Sequence, residues 1–128
     1  MTHSTSSQPL VLIVDDYPDC SDMYGTYLAL LGYRVLKATD GLEALRLALD
    51  SLPDVILMDI GLPGIDGFEV TRRLKDEQST RPIPVIALTA QAPVQAERMR
   101  TLGFEATITK PCLPEALATE VQRVIHRM

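Results

Sequence analysis

The sequence predicts an α/β domain built on a mostly parallel sheet with helices on both faces. Short apolar runs alternate five times with longer segments whose apolar residues recur at helical spacing. That is the pattern of consecutive βα units. The runs 10–14, 55–58 and 85–88 are apolar at every position, as strands covered on both faces must be, whereas a half-exposed strand would alternate. With 128 residues the chain is of ordinary single-domain size and can bury roughly two-thirds of the surface its unfolded form exposes.

Taken in order, residues 1–8 are polar and serine-rich and are expected to form a disordered arm, with the domain proper over 9–128. The first strand, Leu10 to Val14, ends on Asp15-Asp16. Pro18-Asp19 suits a helix start, Met23, Tyr27, Leu30 and Leu31 recur along one face, and Gly32 closes the helix. Arg34 to Ala38 makes a second, short strand. Asp40 can cap a helix carrying Leu42, Leu45, Leu49 and Leu52, which Pro53 stops. The third strand, Val55 to Met58, delivers Asp59 at its end. Pro63-Gly64 fits the two central positions of a type II turn, Asp66 is a plausible N-cap, and Phe68, Val70 and Leu74 mark the third helix.

A polar, proline-bearing loop from Gln78 to Pro84 leads to a fourth strand, Val85 to Leu88, which ends on Thr89-Ala90. The fourth helix, Val94 to Leu102, is the weakest, because Gln95, Glu97, Arg98 and Arg100 leave only Val94, Met99 and Leu102 as an apolar stripe. A marginal helix can move. Gly103 ends it, Glu105 to Thr109 supplies a fifth strand, Lys110-Pro111 follows, and Leu113, Leu117, Val121, Val124 and Ile125 line a final helix.

Composition narrows the function. A net charge of −5 with no basic cluster argues against direct binding of nucleic acid or an anionic membrane, since both need Lys and Arg to neutralise phosphate. No apolar run approaches the ~20 residues that span a bilayer, and the first residues lack the basic start and apolar core of a secretory signal. A cytoplasmic location is expected. Cys20 and Cys112 have no metal-site spacing and are expected to be reduced packing residues.

Parallel strands point the same way, so the residues after each strand gather along one edge. Those residues are Asp15 and Asp16, Asp59, Thr89 and Lys110. Three acids packed together raise one another's pKa unless a cation sits among them, and hard oxygen ligands suit Mg²⁺. A metal-neutralised carboxylate can attack phosphorus, because phosphoryl transfer is mainly a matter of positioning and charge compensation. Asp59 is then the candidate nucleophile, Asp15 and Asp16 the metal ligands, and Lys110 and the Thr89 hydroxyl the groups that contact phosphoryl oxygens. The product would be an aspartyl phosphate.

These residues, with Asp59 in the run Met58-Asp-Ile-Gly-Leu-Pro-Gly-Ile-Asp-Gly67, Thr89-Ala90 and Lys110-Pro111, resemble the response-regulator receiver domains of two-component signalling. The resemblance covers residues 9–127. It implies a flavodoxin-like (βα)5 fold with sheet order 2-1-3-4-5. It further implies phosphorylation of Asp59 by a histidine kinase or histidine phosphotransfer protein, and Mg²⁺ held by Asp16, Asp59 and the Gly61 carbonyl, with Asp15 acting through water. A cis bond at Lys110-Pro111 belongs to the same pattern. The implied output is a phosphorylation-dependent change of the face made by the fourth helix, fifth strand and fifth helix, read by a downstream protein or a second copy in a homodimer. Arg98, Arg100, Gln95 and Glu120 are the candidate contacts there.

Two positions depart from the family pattern. Thr107 stands where receivers usually carry the aromatic residue that rotates inward with the threonine, and the nearby Phe104 is expected to be a packing residue. Gln91 and Gly61 flank the acyl phosphate without bulk, so no long-lived phosphoryl state is expected. A phosphatase of the haloacid-dehalogenase type also uses a strand-end aspartate, but it needs a second acid two residues later, where this chain has Gly61. A flavin module on this fold would be repelled by the acidic loop Asp15-Asp-Tyr-Pro-Asp19. The remaining alternative is a receiver cut from a longer hybrid kinase or transcriptional regulator. The first reading is thus a phosphoacceptor signalling module rather than a turnover enzyme.

Overall fold

In a computed structural model, which describes residues 8–90 and 92–126 without the side chains of 92–96, five strands alternate with five helices. They are β1 (Leu10–Val14), α1 (Pro18–Leu30), β2 (Arg34–Ala38), α2 (Gly41–Ser51), β3 (Val55–Asp59), α3 (Gly67–Asp76), β4 (Val85–Thr89), α4 (Ala92–Thr101), β5 (Ala106–Thr109) and α5 (Pro114–His126). Apart from Gln8, the expected N-terminal arm lies outside the described residues, as does Gln91. All strand pairs are parallel, in the order β2-β1-β3-β4-β5. This is the flavodoxin-like arrangement. Among the described residues no helix is long and apolar enough to cross a membrane.

The sheet separates two apolar layers. Leu12, Val14, Ile56, Met58, Val85 and Ala87 face α2, α3 and α4, while Val11, Ile13, Val55, Leu57, Ile86 and Leu88 face α1 and α5. Every residue of β1, β3 and β4 is buried, which accounts for the unbroken apolar runs. The edge strands β2 and β5 are partly open.

Helix ends follow the sequence signals closely. The Asp40 and Asp66 carboxylates accept the N–H groups of Glu43 and Glu69, at 2.8 and 3.0 Å, and so cap α2 and α3. Gly32 takes a φ of +99°, and the N–H groups of Gly32 and Tyr33 return to the carbonyls of Ala29 and Leu28. That closes α1 in a Schellman turn. Gly64, at φ +74°, takes the left-handed conformation that the second central position of a type II turn requires.

The packing faces of α1 and α2 differ from the expectation. On α1 the buried stripe is Ser21, Tyr24, Gly25 and Leu28, while Met23 and Leu30 are 44 % and 80 % exposed. On α2 it is Gly41, Ala44 and Ala48, while Leu42, Leu49 and Leu52 are exposed. Steric room decides this. A Cβ on Gly25 would sit 3.4 Å from Val35 Cγ1, and one on Gly41 would come within 2.6 Å of Ile65 and Val70. Large side chains already fill the facing surface, from β1 and β2 at Gly25 and from Ile65 and α3 at Gly41, so the helices approach through their small residues. For α3 and α5 the expected stripes do face the core, except that Leu113, just ahead of α5, is exposed.

Candidate functional site

The strand registers bring the candidate residues to one edge. Val14 pairs with both Ala38 and Met58, Asp59 with Leu88 and Thr89 with Thr109, so each candidate lies at or just beyond the carboxyl end of its strand. The Asp15 N–H donates to the Ala38 carbonyl, that of Ile60 to Leu88 and that of Lys110 to Thr89, each at 2.9–3.0 Å. The backbone therefore locks the rim that carries the site.

Asp15, Asp16 and Asp59 each offer one carboxylate oxygen, and these oxygens lie within 4.8 Å of one another. Asp15 is fully buried and Asp59 nearly so, whereas Asp16 is exposed. Asp15 Oδ1 accepts the Tyr17 N–H at 2.9 Å, but Oδ2 is buried with no hydrogen-bond partner. The Lys110 ammonium stands 3.7 Å from Asp15 Oδ2 and 3.5 Å from Asp59 Oδ2. Asp59 Oδ1 accepts the Gly61 N–H at 3.0 Å. This leaves Oδ2 of Asp59 facing the cation.

The electrostatics follow from this crowding. Burial pushes the Asp15 carboxyl above its ordinary value, against the Tyr17 N–H and Lys110, and the charges of Asp59 and Asp16 push it further up. For Lys110, burial works to lower the pKa, yet the charges of Asp59 and Asp15 outweigh it and hold the ammonium above its ordinary value. One ammonium cannot balance three carboxylates. The all-oxygen donor set and the orphaned Oδ2 of Asp15 suit a hard divalent cation such as Mg²⁺.

Two supports were not legible in the sequence. Gly67 opens α3 directly behind Asp59, where a Cβ would lie 2.6 Å from the Asp59 carbonyl oxygen. Only glycine permits that approach. On the other side, the Tyr24 hydroxyl donates to the Cys112 carbonyl at 3.1 Å, fastening α1 to the segment after the cis Lys110-Pro111 bond. Both cysteines are free thiols.

Thr89 is buried at the rim, while Gln91 lies outside the described residues. Thr107, at the expected aromatic position, donates its hydroxyl to Met99 Sδ at 3.4 Å. Phe104 is a core residue, packed edge-on against Phe68 with centroids 6.2 Å apart. Of the output-face candidates, Arg100 pairs with Glu97 and Glu120 with Arg123. Arg98 instead lies over the Phe68 ring, 3.8 Å from its centroid.

Comparison with known proteins agrees with this geometry. Residues 11–122 match the family described as the response regulator receiver domain. The chain is 46% identical over 102 residues to the polar-differentiation response regulator DivK of Brucella ovis, covering 79% of this chain and 83% of DivK. It is 37% identical over 123 residues to the DNA-binding dual master transcriptional regulator RpaA of Synechocystis, covering 93% of this chain. The chain spans only 50% of RpaA's length. Among solved structures, the receiver domain of a Pseudomonas aeruginosa sensor histidine kinase, with a magnesium ion coordinated in its active-site cleft, superimposes with a TM-score of 0.85. That pair is 35% identical, over 94% of this chain and 99% of the other.

Proposed function

The chain belongs to the response-regulator receiver family of two-component signalling, and from that premise we propose that Asp59 is its phosphoacceptor. The observation that carries the reading is Asp59 Oδ2, which faces the Lys110 ammonium at 3.5 Å while Oδ1 is held by the Gly61 N–H. Oδ2 is thereby the oxygen placed to attack phosphorus. In the transfer a P–O bond forms to Asp59, the P–N bond of a phosphohistidine breaks, and the imidazole leaves. Lys110 offsets charge on one phosphoryl oxygen and the Thr89 hydroxyl donates to another. Reversal of the signal is attack of water on the same phosphorus, regenerating the carboxylate. This self-catalysed gain and loss of a phosphoryl group is signalling chemistry rather than turnover of an external substrate.

Asp16, Asp59 and the Gly61 carbonyl would hold Mg²⁺, with Asp15 bound through water. The ion's contribution is to neutralise the carboxylates and the incoming phosphoryl charge. Among the partners, a histidine kinase or phosphotransfer protein fits the outer face of α1, the helix that leaves the acidic loop. A groove of about 580 Å³ lies there, lined by Met23, Tyr27, Leu30 and Pro114 beside Asp19 and Asp22. The downstream protein, or a second copy, is assigned to the α4–β5–α5 face. Reduced cysteines agree with a cytoplasmic location, and residues 9–128 are taken as the phosphoacceptor domain.

The test is intact mass after incubation with Mg²⁺ and acetyl phosphate. One added phosphoryl group is expected, absent with a chelator and absent in Asp59→Asn. An adduct that persists in Asp59→Asn would move the phosphoacceptor to another residue.

A further inference from the structure

The helix that follows Thr89 has few anchors. Among the described side chains of α4, Met99 is the one fully buried, and Leu102 beyond its end packs only partly against the core. Beyond its packing on β4 and β5, α4 reaches α3 through the Phe68 ring. The Arg98 guanidinium lies 3.8 Å from the centre of that ring, and Phe104, in the α4–β5 turn, meets it edge-on at an interplanar angle of 87°. Phe68 thus meets two residues of the segment that runs from α4 into β5.

The two halves of this grip leave the site by different routes. Phe68 follows Gly67, whose N–H donates to the Ile60 carbonyl at 3.1 Å, so its position is tied to the Asp59 end of β3. Arg98 belongs to the helix that begins three residues after Thr89. A movement of Thr89 toward a phosphoryl group on Asp59 would act on the start of α4, three residues on, whereas the start of α3 is bonded to the Asp59 end of β3 through Gly67. The Arg98–Phe68 stack spans that seam. Thr107 replaces the usual inward-rotating aromatic and is engaged with Met99, so the β5 position cannot supply an aromatic read-out.

We propose that Arg98 is a positioning residue whose stack on Phe68 clasps α4 in the unphosphorylated protein and is released when Asp59 is phosphorylated. The proposal rests on the phosphoacceptor reading of Asp59. A cation over an aromatic face at an exposed site biases a two-state equilibrium by about two- to fivefold. By linkage, a contact made only in the resting state opposes phosphoryl binding by the same factor.

The experiment titrates the whole protein with beryllofluoride, a phosphoryl mimic, in the presence of Mg²⁺, followed by NMR. Amide hydrogen exchange of residues 97–104 is measured in parallel. Arg98→Gln is expected to bind the mimic about two- to fivefold more tightly than wild type, and to exchange faster in this segment before the mimic is added. Phe68→Leu, which keeps an apolar side chain but loses the ring, should do the same. Arg98→Lys, which keeps the cation, should lie between Arg98→Gln and wild type. Unchanged or weaker mimic binding in both Arg98→Gln and Phe68→Leu, alongside a normal wild-type response, overturns the clasp alone. No response from wild type overturns the phosphoacceptor reading and the coupling with it.

Discussion

Single residues in this molecule are held in places that their type would not ordinarily favour. Asp15 is fully buried, and one of its oxygens has no hydrogen bond and only the distant Lys110 ammonium beside it, which is costly without a further cation and useful with one. Thr71 is the contrasting case. Its hydroxyl is also buried without a hydrogen-bond partner, but it sits on the buried face of α3 and is not one of the clustered acids. Thr71→Val should therefore stabilise the protein by about 1 kcal/mol, since it removes an unsatisfied polar group at nearly constant shape. Urea unfolding of the two proteins at neutral pH checks this, with the midpoint rising and the slope unchanged. Lys75 is a half-buried cation with a different use. Burial lowers its pKa, and its ammonium donates to the carbonyls of Arg81 and Ile83 at 3.0 and 2.7 Å, holding the loop that sets the start of β4.

Among the elements, α1 and α4 are the ones on which the proposed interactions rest. The outer face of α1 exposes apolar side chains beside the acidic loop, whereas α4 lays the exposed Arg98 over the Phe68 ring of α3. The first arrangement suits docking of a donor and the second suits a movable lever. Met23→Glu, on the exposed face of α1, should slow phosphoryl transfer from a phosphohistidine donor protein by about tenfold, the effect of losing one good interface anchor. The same variant should react with acetyl phosphate at the wild-type rate. Parallel loss with both donors would mean that the substitution disturbs the site rather than the docking face. The α3 helix is a firmer element, with a capped start and Arg72 bridging Glu69 and Asp76 along its surface.

At the scale of the whole molecule, the parallel sheet gathers three carboxylates and one ammonium at its carboxyl edge and leaves excess negative charge there. Mg²⁺ should therefore stabilise the folded state. At a concentration 100 times its dissociation constant the ion adds about 2.7 kcal/mol, a rise of several degrees in Tm that thermal melts with Mg²⁺ and with chelator would show. Asp59→Asn should lose most of that rise, and an equal rise in the variant would place the ion elsewhere. Much of this was legible in the sequence. The five βα units, the doubly covered strands, the caps at Asp40 and Asp66 and the strand-end residues Asp15, Asp16, Asp59, Thr89 and Lys110 are local patterns, set by chain periodicity and by the common direction of parallel strands. The buried faces of α1 and α2 were not legible. Periodicity shows where large apolar side chains recur, but α1 and α2 turn Gly25, Gly41, Ala44 and Ala48 inward, because strand side chains at Gly25 and Ile65 and Val70 at Gly41 already fill the facing space. Nor could spacing reveal that Arg98 lies on Phe68 or that Gly67 lets α3 begin against Asp59. Contacts between residues far apart in sequence depend on how closely two elements approach, and only the packed tertiary structure sets that distance.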